Sequence, residues 1–138
     1  MTSSNQISGS YGFVTPVKLD QNNFIVWRTQ ILASIKGNSL ESFINGDRTC
    51  PEQFLSSAST IIENQEINPE YTAWIKTDQL ILSWMMSSIQ QNLLATVIHC
   101  STAKELLDAL TSMFILSLRL ELCLLKCRFK HLKKDICL

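Results

Sequence analysis

The spacing of apolar residues predicts α-helices along most of the chain. The first predicted helix begins at Asn22 or Asn23, each of which can cap a helix by accepting hydrogen bonds from free backbone donors. It ends at Gly37, a residue type that favours helix C-termini. A short second helix is predicted from Ser39 to Gly46. The buried face of the first helix consists of four residues at helical spacing: Phe24, Trp27, Ile31 and Ile35.

The central helix has a well-defined start in the sequence. Residues 47–68 are weakly patterned and predict a connection with one helical turn. Asn68 is the predicted N-cap, Pro69 suits the first helical position, and Glu70 complements the positive helix end. A further short helix is predicted over residues 93–98. The broad buried stripe of the central helix contains seven residues: Tyr71, Trp74, Ile75, Ile81, Leu82, Met85 and Ile89.

Two more helices are predicted in the C-terminal third. Thr102 and Glu105 are spaced as a capping box ahead of an apolar run. The buried face that follows contains Leu106, Leu107, Leu110, Met113 and Phe114. Beyond residue 115, leucines at every second position fit a strand, whereas another set fits a helix. We favour the helix because β-branched residues are scarce there. The helical set is Leu118, Leu122, Leu125, Phe129 and Leu132.

The sequence therefore predicts an all-α fold, a small bundle of about five or six helices. Three segments are expected: a flexible leader over residues 1–15, a helical domain over 16–114, and a helix with a basic tail over 115–138. Nothing in the pattern resembles the alternation of strands and helices that builds a parallel sheet.

Composition narrows the class of protein. The 12 basic and 12 acidic side chains give a net charge of zero, which argues against a generally basic nucleic-acid binder. No apolar run approaches the roughly 18 residues of a membrane span, so no membrane partner is expected. The first ten residues lack the features of a secretory signal. We expect a cytoplasmic protein, with the nucleus as the alternative, that is not secreted and keeps its thiols reduced.

Little in the sequence points to catalysis, and we expect a non-enzymatic protein. No phosphate-binding loop, dinucleotide fingerprint, nucleophile elbow or zinc-protease motif is present. We predict no catalytic residue, no cofactor and no small-molecule substrate. The strongest metal candidate is the group Cys123, Cys127, His131 and Cys137, but its spacing departs from that of a zinc knuckle and it lacks glycines. We therefore predict no metal site.

The C-terminal end is locally basic. Residues 109–138 contain six basic and two acidic side chains, whereas residues 1–108 contain six and ten. Such a segment could make weak nucleic-acid contacts through charge alone, and the alternative is a solvated helix face. The candidate residues are Lys126, Arg128, Lys130, Lys133 and Lys134.

Four ordered segments resemble the Gag polyproteins of copia-type LTR retrotransposons over about residues 14–126. The first is the stretch from Leu19 to Trp27, and the third is the block Thr102–Leu110 that continues to Phe114. The second matches a central helix, and the fourth covers residues 118–126. Leu107 stands where the family usually has Trp, and several residues usual between Phe114 and Leu118 are missing. The signature residues are Leu19, Asn23, Phe24, Trp27, Trp74, Asp78, Trp84, Leu106, Leu110 and Phe114.

The resemblance implies a helical fold similar to the N-terminal domain of a capsid protein. It also implies a structural, non-enzymatic protein that self-associates or binds other Gag-like chains. The absence of the zinc knuckle and the later capsid region suggests a truncated or degenerate copy. Two alternatives remain: a small nucleic-acid-binding protein that uses the basic tail, and a relic without present function. We expect residues 115–132 to be the segment most prone to association.

Overall fold

The computed structural model describes residues 12–13, 17–55 and 66–136. Those residues form four α-helices: α1 (Phe24–Gly37), α2 (Pro69–Ser87), α3 (Gln91–Val97) and α4 (Ala103–Ile136). A single 3₁₀ turn, Glu41–Phe43, follows α1. Two isolated β-bridges occur but no strand is found in these ranges. The predicted all-α class is confirmed.

The number of helices differs from the predicted five or six. The helix expected over residues 39–46 is only the three-residue 3₁₀ turn. The two helices expected on either side of residue 115 are a single helix, α4. Residues 114–118 contain no glycine or proline that would end a helix. Ser117 has a residue type that can cap a helix, but its hydroxyl donates to the Met113 carbonyl within α4. The one turn expected within residues 47–68 is absent from its described part, and residues 56–65 lie outside the described residues.

Two of the three predicted N-cap side chains, those of Asn68 and Thr102, cap their helices in the structure, and the third, that of Asn23, does not. The Asn68 side chain accepts a hydrogen bond from the Glu70 amide at 3.0 Å, as predicted. The Thr102 hydroxyl accepts from the Glu105 amide at 3.2 Å. The side chain of Asn23 does not cap α1, because it is engaged by the preceding segment. It accepts from the Asp20 amide at 2.8 Å and donates to the Lys18 carbonyl at 2.8 Å.

The hydrophobic core lies between α1, α2, α3 and the first third of α4. Both α2 and α3 pack against α4. The last buried side chain in the described part of α4 is Phe114, whose ring stacks on Phe24 of α1 with centroids 4.6 Å apart. Beyond Phe114 the helix continues without further buried side chains in its described part.

The predicted leader is described only in part. Phe13 stacks on the half-buried Trp84 of α2, with ring centroids 4.4 Å apart. The rest of the predicted leader, residues 1–11 and 14–15, lies outside the described residues.

Candidate functional site

Most of the signature residues build the core. Eight of the ten are buried, and only Asn23 and Trp84 are half-buried. Buried side chains are unavailable to a partner in solution, so these eight residues contribute to the packing that stabilises the fold. The eight are Leu19, Phe24, Trp27, Trp74, Asp78, Leu106, Leu110 and Phe114.

Hydrogen bonds hold the segment before α1 against the end of α2, and they involve Leu19, Trp27 and Ser88. The Leu19 amide donates to the Ser88 carbonyl at 2.8 Å, and the Gln90 amide donates back to the Leu19 carbonyl at 3.1 Å. The indole N–H of Trp27 donates to the Ser88 hydroxyl at 3.0 Å, in a fully buried contact. Residues far apart in sequence therefore form one cluster, which connects the first and second matched segments.

Asp78 is the one buried carboxylate in the described part of the chain. Its Oδ1 accepts from the Ala103 amide at 3.1 Å, so it caps α4 from a neighbouring helix. Its Oδ2 accepts from the side chain of Gln79 at 3.3 Å. Burial raises the pKa of Asp78, against the opposing effect of these two hydrogen bonds. Asp78 thus fixes where α4 begins relative to α2.

Glu105 completes the start of α4 in an unexpected way. A capping box would direct its carboxylate to the Thr102 amide. Instead, the carboxylate accepts from both the amide and the hydroxyl of Ser101, each at 2.9 Å. These hydrogen bonds lower the pKa of Glu105. The Glu105 carboxylate therefore binds residue 101, one residue before the Thr102 amide that the capping box predicts.

The candidate metal group is not assembled as a site. Cys123 and Cys127 are exposed on successive turns of α4, and His131 is exposed one turn further on. Cys137 lies outside the described residues. Among the residues that the structure describes, no group of three potential metal ligands comes together.

The sulfur of Cys100 lies 3.9 Å from Nε2 of His99, the one close cysteine–histidine pair in the described ranges. Burial raises the pKa of the Cys100 thiol, and the charge of Glu105 raises it further. A nucleophilic cysteine requires the opposite shift, toward thiolate at neutral pH. The pair therefore has the character of a buried core thiol beside an exposed imidazole.

The largest exposed apolar surface lies on the part of α4 that projects past the core, residues 115–136, which we call the α4 extension. At 1.5 Å per residue it is about 33 Å long. Of the 17 large hydrophobic side chains exposed in the described residues, nine lie in this extension. Isolated exposed leucines are ordinary, so it is the continuity of this set that makes the extension a candidate interaction surface.

These apolar residues divide into two faces of the helix. We call the first the α4 seam, with spacing 3, 4, 3, 4, 3, and the second the back face, about 180° away around the helix axis. The seam consists of Ile115, Leu118, Leu122, Leu125, Phe129 and Leu132. The back face consists of Leu116, Leu120, Cys123, Leu124 and Cys127.

The five candidate nucleic-acid contacts are all exposed on the α4 extension. Four of them lie within about 100° around the helix axis, on one flank of the seam. Arg128 projects from the opposite side and does not join them. The four are Lys126, Lys130, Lys133 and Lys134.

Burying the α4 seam would release substantial free energy. Its six side chains are between 38% and 68% exposed. Full burial of one large apolar side chain is worth about 1.5–3 kcal/mol, so the exposed parts of six are worth about 4–9 kcal/mol per molecule. Association costs an estimated 4–15 kcal/mol. Two such surfaces would together gain about 8–18 kcal/mol, a range that overlaps this cost.

The chain is similar to two retrotransposon proteins of Arabidopsis thaliana. It is 27% identical over 97 residues to the retrovirus-related Pol polyprotein from transposon RE1. It is 26% identical over 97 residues to the corresponding polyprotein from transposon RE2. The chain contains a retrotransposon-related region. That region covers 70% of the chain but only 6% of either polyprotein.

Other comparisons add no further relationship. No protein-family model matches the chain, and no solved structure matches it. In the described ranges, none of the helices combines the length and apolar character needed to span a membrane.

Sequence reasoning identified the stripe of the α4 extension but missed the tertiary contacts of Asp78 and Ser88. Both residues are polar and buried: Asp78 lies on the buried face of α2, and Ser88 is the residue that follows the end of α2. Asp78 lies four residues after Trp74 and three before Ile81, which places it on the buried stripe. A charged residue on such a stripe is the available signal for a buried polar contact.

Proposed function

We propose that the chain is a non-enzymatic, Gag-like structural domain of a copia-type retrotransposon that acts by self-association, as a capsid protein does. One observation carries the proposal: a retrotransposon-related chain projects a long helix with nine exposed large apolar side chains. A surface of that size favours contact with another protein chain. The zero net charge provides little repulsion between copies.

The resemblance to Gag supports a structural role through the placement of its signature residues. The signature residues hold helices together, as the stacked pair Phe24 and Phe114 illustrates. Under this proposal the core positions α4, and the α4 extension carries the association. The partners are other copies of the chain or other Gag-like chains.

Removing residues 119–138 tests the proposal. The truncated chain ends at Leu118, which lines a small cavity with Phe24 and Phe114 and is therefore retained. We expect the mass of the full chain, measured by light scattering, to rise with concentration. The truncated chain should remain a folded monomer because its core is intact.

Two results would contradict this prediction. A full chain that is monomeric at every concentration would exclude self-association through the α4 extension. A truncated chain that loses its circular-dichroism signal or precipitates would show that the extension stabilises the core.

A second candidate function is nucleic-acid binding by the basic flank of the α4 extension. The observation that favours it is the alignment of Lys126, Lys130 and Lys133 along one exposed flank, with Lys134 beside them. Contacts to phosphates through these side chains would be weakened strongly by salt.

Charge reversal tests the second candidate. If the flank binds RNA, changing Lys130, Lys133 and Lys134 to Glu should abolish a salt-dependent shift in fluorescence anisotropy of a labelled RNA. RNA binding that is unchanged in the triple variant would remove the flank from consideration. The same variant should still self-associate, because the α4 seam is not altered.

A further inference from the structure

The segment after the 3₁₀ turn contains the one Asn-Gly pair in the sequence, Asn45 and Gly46. Gly46 has a φ of 86°, a conformation that residues with a side chain rarely adopt, so the fold favours glycine at this position. Asn45 is exposed, and its backbone amide donates to the Glu41 carbonyl at 3.0 Å. The pair is therefore held in a defined turn and is accessible to water.

An asparagine that precedes a glycine has an intramolecular reaction open to it. The backbone nitrogen of the glycine attacks Cγ of the asparagine side chain, and glycine has no Cβ to obstruct the approach. A succinimide ring forms and ammonia leaves. Water then opens the ring at either of its carbonyls, which yields aspartate or isoaspartate in place of asparagine. Both reacting groups belong to one chain, so no encounter with a second molecule precedes ring closure.

The attacking nitrogen of Gly46 is free in the structure. The amides on either side of it are occupied, because that of Asn45 donates to Glu41 and that of Asp47 donates to the Asn45 side chain. The Gly46 amide has no hydrogen-bond partner among the residues that the structure describes. Attack by this nitrogen therefore breaks no hydrogen bond of the described fold.

Asp47 contacts both ends of the side-chain amide that would react. Its backbone N–H donates to Oδ1 of Asn45 at 2.9 Å. Negative charge develops on that oxygen during the attack, and a donor already in place stabilises it. The Asp47 carboxylate accepts from Nδ2 of Asn45 at 2.6 Å. A group able to carry a proton thus lies against the nitrogen that leaves as ammonia.

We propose that Asn45 is a self-modification site, which converts to aspartate and isoaspartate through a succinimide formed with Gly46. The bond between the Gly46 nitrogen and Cγ of Asn45 forms, and the bond between Cγ and Nδ2 breaks. Asp47 transfers the proton lost by the Gly46 nitrogen to Nδ2, which departs as ammonia. Water is consumed when the ring opens. The reaction goes beyond the proposed function and does not depend on it.

Conversion at residue 45 would disturb the contacts of the segment that contains it. Both products lose the Nδ2 donor and gain a carboxylate near that of Asp47, so like charges replace a hydrogen bond. The next residue, Arg48, accepts at its carbonyl from the Trp74 indole N–H at 3.2 Å, and its Cζ lies 5.5 Å from the centroid of the Phe43 ring. Isoaspartate also adds a methylene group to the backbone. We expect the converted chain to open locally and to be cleaved faster by trypsin after Arg48.

Incubation of the full chain at neutral pH and physiological temperature tests the proposal. Peptide mass spectrometry, calibrated with synthetic peptides that contain aspartate or isoaspartate at this position, measures the products over time. We expect conversion at Asn45 to be at least about tenfold faster than at Asn38, which corresponds to a barrier lower by about 1.4 kcal/mol. Asn38 is the reference because its side-chain amide is also hydrogen-bonded, at 2.8 Å to the Ser34 carbonyl, but a serine follows it.

Two variants test the parts of the reaction. Asn45→Gln keeps an exposed amide but would need a larger ring, so it should give no product and no change in cleavage after Arg48 over the same time. Asp47→Asn keeps an acceptor for Nδ2 but carries no proton. It should slow conversion at Asn45 at least about tenfold, since positioned proton transfer typically contributes about 10²–10⁴-fold. Tryptic cleavage after the exposed Lys130 of α4 is the reference rate, and circular dichroism verifies that each variant is folded.

Each part of the proposal has a result that overturns it. Conversion at Asn45 that is no faster than at Asn38 would overturn the self-modification site. Fast conversion that is unchanged in Asp47→Asn would overturn the role of Asp47. Equal cleavage after Arg48 in the converted and unconverted chains would overturn the effect on the segment. None of these results bears on self-association through the α4 extension, which light scattering measures separately.

Discussion

Replacing Trp27 with alanine is expected to lower the free energy of unfolding by about 3–5 kcal/mol. Trp27 is fully buried in the first turn of α1, and the centroid of its ring lies 6.2 Å from that of Phe24. Its loss would leave a large cavity. It would also remove the donor to the Ser88 hydroxyl. Because total stability is typically about 5–15 kcal/mol, this variant should be partly or wholly unfolded at 37 °C.

Chemical denaturation followed by circular dichroism measures this effect. Two further variants separate the packing of Trp27 from its hydrogen bond. Ser88→Ala leaves the packing of Trp27 in place but removes the acceptor of its indole N–H and the hydrogen bond that the Ser88 hydroxyl donates to the Met85 carbonyl at 2.6 Å. It should cost about 1–3 kcal/mol, because the buried indole N–H is left without a partner. Val26→Ala, at an adjacent exposed position of α1, should change stability by less than about 0.5 kcal/mol. Equal effects of Trp27→Ala and Val26→Ala would contradict the assignment of Trp27 to the core.

Several parts of the fold could be predicted because they depend on local interactions. Asn68 caps α2 through a contact with the backbone two residues later, so residue type and spacing alone identify it. The buried stripes of α1 and α2 follow from the helical period. Gly37 is indeed the last residue of α1. Each of these features involves residues within a few positions of one another.

Features that depend on distant contacts were predicted less well. Asn23 has the residue type of an N-cap, but its side chain is engaged by residues 18 and 20, which the fold holds against α2 and α3. The helix expected near residues 39–46 is reduced to a 3₁₀ turn, and Ser39 adopts a positive φ of 57°. A non-glycine residue in that conformation turns the chain sharply. Tertiary packing selected these conformations over the local preferences.

In the α4 extension, too, residue types determine some features and tertiary contacts determine others. Its helical conformation and its apolar stripe follow from residue types alone, and the sequence predicts both. The apolar spacing predicts two helices that meet near residue 115, yet the backbone of α4 continues through residues 114–118 without a break. Whether an apolar stripe is covered depends on where the other helices lie. Only the fold shows that the core ends at Phe114.

Asp78 provides the second large expected effect. Asp78→Ala should lower the free energy of unfolding by about 1–3 kcal/mol at neutral pH, because the buried Ala103 amide loses its acceptor at the start of α4. Glu52→Gln, at an exposed position in the connection before α2, is the matched control. It should change stability by less than about 0.5 kcal/mol. If Asp78→Ala is as mild as this control, the carboxylate does not hold α4 in place.

The effect of Asp78 should also depend on pH in a defined direction. Burial raises the pKa of Asp78 in the folded state, so the folded chain binds a proton at a pH where the unfolded chain has lost it. The stability from this proton is fully present below the ordinary carboxyl pKa and is lost as the pH rises through the folded value. Asp78→Asn keeps an acceptor for Ala103 but does not titrate at this position. The stability difference between the unmodified chain and Asp78→Asn should therefore shift in favour of the variant as the pH rises from acid to neutral. Thermal unfolding at a series of pH values measures this difference. A difference that is constant with pH would mean that burial and hydrogen bonds balance at Asp78, and a shift in the opposite direction would mean that the hydrogen bonds dominate.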